Sequence, residues 1–128
     1  MDEKIIGGNL PQPLALAYIG DAAHSLYIRR ALVERGISKS GELNAHALEF
    51  VQAERQAEAY EKIAPHLTEA ESDTFRRAFN STHLNKPKRA GAKEYRCATG
   101  FEAVLGMLTW LGEEERFRAL MKIAYPDL

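Results

Sequence analysis

Residues 10–30 read LPQPLALAYIGDAAHSLYIRR, and between Lys4 and Arg29 the chain carries one formal charge, Asp21. Pro13 suits the first turn of a helix, and nothing breaks the pattern before Gly36, so one long helix is expected here. On a helical wheel Asp21 shares its face with Leu14, Ala17, Tyr18, Ser25 and Ile28. The opposite side carries Ala15, Ile19, Ala22 and Leu26. A helix apolar on both sides is expected to be buried. An ionised carboxylate there is costly unless something compensates it, and no nearby Lys or Arg can.

A second segment repeats the anomaly. From Cys97 to Gly112 the sequence CATGFEAVLGMLTWLG holds one charge, Glu102. Its face carries Ala98, Thr99, Leu105, Gly106 and Thr109, again with no basic residue. Both acids keep glycines close: Gly20 beside Asp21, and Gly100 and Gly106 around Glu102. Glycine inside a helix costs ~1 kcal/mol against alanine, which points to close approach of backbone or ligand. Two unpartnered acids call for a shared compensator, and carboxylate oxygens completed by water suit magnesium. The alternative is that each acid bonds backbone amides or distant cations such as Arg76 and Lys93, or sits at an exposed end.

The rest of the chain fits an all-α fold, a single domain over residues 1–128 with no strand. Five helices are expected: Pro13 to Gly36, Glu42 to Ala64, Thr68 to Phe79, Ala92 to Leu111 and Glu113 to Ala124. The second follows the loose rhythm of Leu43, Ala47, Phe50, Val51, Ala57 and Ile63, with Pro65 beyond its end. Thr68 with Glu71 three residues on forms a capping box. The polar segment NSTHLNKPKRAG, residues 80–91, breaks the helical pattern at Pro87 and Gly91.

The net charge is −1, but it is unevenly spread. Residues 76–96 hold seven Lys or Arg against Glu94 alone, leaving 10 basic and 17 acidic side chains elsewhere. A basic segment on an acidic body is an electrostatic footprint for a polyanion. The four histidines lie at least 17 residues apart, and the one cysteine, Cys97, has no partner for a zinc site or an internal disulfide. No leader peptide and no apolar run long enough to span a membrane is visible, so a cytoplasmic location is expected.

LALAYIGDAAHSLYIRR resembles the signature helix of ribonuclease III, with an apolar-aromatic pair before Gly-Asp-Ala. TGFEAVLGMLTWL is similar to the second acidic helix of the same nuclease domain. The match is closest to the Mini-ribonuclease III branch, carried by Pro13 to Ala22, by Tyr95 to Gly106, by Leu67 to Glu71 and by the Pro87-Lys88 pair. The resemblance implies a ribonuclease III-like helical bundle, homodimeric, that cleaves double-stranded RNA with Mg2+, or Mn2+ as a substitute. It implies Asp21 and Glu102 as the catalytic, metal-holding acids and Tyr18 at the dimer interface; an ordinary core tyrosine is the alternative at that position. It further implies maturation of large-subunit (23S) ribosomal RNA precursor, with 5′-phosphate and 3′-hydroxyl ends and with ribosomal proteins as candidate helpers.

The chain departs from the larger family members at Ala17, Thr99 and Ser25, where acids stand in relatives. The Mini branch shares the first two losses. In the family's R-G-R-N, the second arginine is replaced by Phe79, within Arg77-Ala78-Phe79-Asn80. Duplex RNA is gripped through phosphates and 2′-hydroxyls. Arg77, Asn80, Lys86, Lys88 and Arg96 are the expected contacts, against the blander option of a solvated loop. The competing expectations are a non-catalytic RNA-binding or ribosome-assembly factor on the same scaffold, and a helical protein-interaction module.

Overall fold

At the centre lies the helix that holds Glu102. In the computed structural model, which describes residues 10–82 and 91–128, six α-helices follow in order: α1 (Pro13–Glu34), α2 (Ser40–Val51), α3 (Ala53–Ile63), α4 (Glu69–Ser81), α5 (Ala92–Trp110) and α6 (Glu114–Ala124). A short 3-10 turn, Ala64–His66, joins α3 to α4. There is no strand among the described residues. From Ala98 to Leu108 every residue of α5 except Glu102 is buried. Helices α1, α3, α4 and α6 pack around it.

The expected helix from Glu42 to Ala64 is in fact two. Gln52 adopts an extended backbone (φ −73°, ψ 146°), so α2 ends and α3 begins around it. Neither proline nor glycine marks the break. It follows from packing: α2 lies against α1, whereas α3 must turn to lie along α5. The capping box at Thr68 is present in both directions, with Glu71 N–H donating to the Thr68 hydroxyl and Thr68 N–H donating to the Glu71 carboxylate. Glu71 also accepts from Arg116 at 2.8 and 2.9 Å, which fastens α6 to the start of α4.

The α1–α5 crossing explains the helical glycines. A Cβ on Gly20 would lie 1.7 Å from the Glu102 carbonyl oxygen, and one on Gly106 would lie 1.8 Å from the Leu16 carbonyl oxygen. The two backbones touch at this point, and any side chain would force them apart. Gly100 plays a related part against α4, since its Cβ would meet the Phe75 ring at 2.5 Å.

The sequence places α1 in the interior on both sides, and the structure corrects that. One face (Leu16, Ala17, Gly20, His24, Ile28, Leu32) is buried. The other is open, with Tyr18 81% exposed, Leu26 60% and Val33 57%. Asp21 itself is exposed. Periodicity records that both faces are apolar, but it cannot record which one the chain's own core covers.

Candidate active site

The contact of Gly20 with the Glu102 backbone fixes what comes next in each helix. Asp21 follows Gly20 at the edge of α1's buried face, and the Glu102 side chain leaves α5 at the same level. The two carboxyls are close enough to act on each other electrostatically. Burial, and then the Asp21 carboxyl beside it, push Glu102 up to about 8, against a smaller opposing pull from the Gln56 amide. Neither acid has a Lys or Arg partner among the described residues. The expectation that Arg76 or Lys93 might compensate them is not met: Arg76 pairs with Asp73 on its own helix.

Two converging carboxylates without a cation form a site short of positive charge. The donors are hard oxygens, and they number two carboxyls: no group of three or more His, Cys, Asp or Glu converges here or elsewhere among the described residues. The arrangement fits a magnesium ion that keeps several waters. Ala17 and Thr99, where larger relatives carry acids, are both buried, and the Thr99 hydroxyl donates to the Tyr95 carbonyl at 3.0 Å. Neither supplies a replacement oxygen to the pair.

Two features escape a reading of the sequence alone. From α3, Gln56 donates its side-chain amide to Glu102 Oε2 at 3.3 Å. Behind the acids, the fully buried His24 joins Nε2 to the Tyr125 hydroxyl at 2.7 Å, with Phe101 edge-on at 5.8 Å. Its Nδ1 has no hydrogen-bond partner among the described residues. That favours the tautomer with the proton on Nε2, because a bare lone pair is easier to bury than an orphaned N–H. Burial lowers the imidazole to about 4, against a smaller upward pull from Asp21. The only sequence sign for Gln56 is a polar residue at the first position of the Gln56–Ala59–Ile63 face.

The expected RNA contacts fare unevenly. Arg77 is exposed on α4, 4.0 Å from Asp73, and Asn80 is exposed near the helix end. Arg96 is engaged within the protein: its Nε donates to the Phe79 carbonyl at 3.1 Å and its guanidinium stacks 4.4 Å over the Phe79 ring. The cation missing at position 79 is thus met by one leaning in from α5. Lys86 and Lys88 lie outside the described residues.

The ribonuclease III domain family matches residues 14–111. The Mini-ribonuclease 3 of Symbiobacterium thermophilum is 42% identical over 112 residues, covering 88% of this chain and 86% of that protein. The Mini-ribonuclease 3 of Streptococcus pneumoniae is 38% identical over 119 residues, covering 91% and 93%. A crystal structure of a Fusobacterium nucleatum protein superposes with a TM-score of 0.78 at 33% identity, over 88% of this chain and 90% of that one. The chain belongs to the Mini-ribonuclease 3 branch of the ribonuclease III family, and it is an endoribonuclease.

Proposed function

We propose that this endoribonuclease cleaves double-stranded RNA by hydrolysis dependent on Mg2+, and that Asp21 and Glu102 hold the ion. The observation that carries this reading is the acid pair at the glycine crossing, two carboxyls that act on each other with no basic partner among the described residues. Both must be ionised to bind a cation, so loading the site displaces the proton that Glu102 otherwise retains up to about pH 8. Bound there, the ion would supply charge to orient water toward the phosphorus and to stabilise the departing oxygen. The exposed Asp21 leaves its side of the pair open to a phosphodiester, while α3 and α5 close off the Glu102 side. The water oxygen bonds to phosphorus and gives up a proton to solvent, the bond to the 3′ oxygen breaks, and the 3′ oxygen takes up a proton in return. The products are a 5′ phosphate and a 3′ hydroxyl.

The working form in this proposal is a homodimer joined through the open face of α1. Leu14, Tyr18 and Leu26 on α1, and Trp110 at the end of α5, are large apolar side chains that the chain's own core leaves exposed. A dimer would offer one acid pair to each strand of a duplex. Arg77, Asn80, Lys86, Lys88 and Arg96 would meet the phosphates and sugars. The proposed natural substrate, precursor of large-subunit ribosomal RNA, and a cytoplasmic location rest on the family resemblance. No described helix is long and apolar enough to cross a membrane. Incubation of the protein with a long RNA duplex and Mg2+ tests the reading. Fragments with the stated ends are expected, and a duplex left intact under Mg2+ and Mn2+ alike would sink it.

A further inference from the structure

We propose that Gln56 is a positioning residue for Glu102, its amide fixing the carboxylate in the orientation that lets it share a cation with Asp21. This rests on the two-carboxylate reading and deepens it. Helix α3 buries one face, made by Gln56, Ala59 and Ile63, and Gln56 is only 3% exposed. An apolar residue at the first of these positions would pack as its neighbours do. A buried amide is unfavourable unless it is hydrogen-bonded, and here its Nε2–H donates to Glu102 Oε2 at 3.3 Å. It is the one side-chain N–H that reaches either acid among the described residues.

The position of Gln56 is itself secured. The preceding residue, Arg55, stacks 4.7 Å over Phe50 and 5.6 Å over Tyr125, and it reaches the Asp127 carboxylate at 3.4 Å. The start of α3 is thereby tied to the core behind the active site. A glutamate's terminal torsion is broad and poorly defined by itself. A donor clamped on one oxygen removes that freedom before a cation arrives. The consequence is larger here than in a site with many ligands, because Ala17 and Thr99 contribute no carboxylate and each remaining ligand carries more of the binding. The amide is also neutral, so it orders Glu102 without competing for the cation's charge.

Substitution Gln56→Met keeps the length and bulk of the side chain and removes the N–H. With RNA absent, Mn2+ affinity measured by electron paramagnetic resonance is expected to fall about tenfold, the usual effect of losing a partner that orients a ligand. The Mg2+ concentration for half-maximal cleavage is expected to rise by the same factor. The KM for duplex RNA at saturating Mg2+ and the melting temperature are expected to hold. Gln56→Asn, which keeps the amide but withdraws it by one methylene, is expected to weaken Mn2+ likewise. A folded Met or Asn variant with wild-type Mn2+ affinity overturns the proposal while leaving the acid pair intact. Variants that both fail to fold would make Gln56 a structural residue and overturn it too. A wild-type protein that neither binds Mn2+ nor cuts duplex RNA would overturn both the proposal and the reading beneath it.

Discussion

Helix α1 has two apolar faces with opposite fates. The inner one, centred on Gly20 and His24, meets α5 so closely that backbone touches backbone. The outer one, centred on Tyr18 and Leu26, meets solvent in the single chain. Asp21 stands on the seam. The comparison teaches that the Asp21 carboxylate belongs to neither face: one side of its helix sets it beside Glu102, and the other is left open by the chain's own core.

The largest effect should come from disturbing the inner face. Gly106→Ala puts a methyl group 1.8 Å from the Leu16 carbonyl, so the helices must separate. A loss of about 3 kcal/mol or more in folding stability is expected, read from chemical denaturation. A variant with wild-type stability would mean that the crossing is looser than described.

The next effect is set by pH. The His24 imidazole sits at about 4 in the folded chain against 6.5 when exposed, so the unfolded state takes up the proton first as pH falls. Stability is full above pH 6.5 and declines as pH falls towards 4, by roughly 3 kcal/mol from this group. Replacing His24 with Leu should remove that part of the acid dependence in denaturation curves taken between pH 7 and 4. An unchanged slope would show that His24 is not held neutral.

The smallest effect on the fold should come from the outer face. Tyr18→Asp is expected to leave helical content and intrinsic stability nearly unchanged, because the ring is exposed in the single chain. It should shift the sedimenting species from dimer to monomer. A wild-type chain that sediments as a monomer at every concentration would break the contrast between the two faces.

Much of this arrangement is legible in the residues themselves. The glycines beside the two acids and the capping box at Thr68 each state a local physical requirement, and the structure meets both. What stays hidden depends on elements distant in sequence. The break at Gln52 has no local signal because it arises from where α2 and α3 must pack. The exposure of Asp21 cannot be read from periodicity, since a face left open and a face covered by the core can be equally apolar. Gln56 reads as an ordinary polar helix residue until α3 is laid against α5. Arg96 reads as a free cation, yet its stacking on Phe79 ties it to the end of α4.

The central claim is that Asp21 and Glu102 together form the cleavage site. Its most direct test is single-turnover cleavage of a duplex RNA by Asp21→Asn in Mg2+, alongside duplex binding and thermal melting. The substitution keeps size and removes the charge, and Asp21 is exposed, so the fold has little at stake. The expected result is cleavage reduced below detection, with melting unchanged and duplex binding largely retained. Cleavage at the wild-type rate would contradict the account.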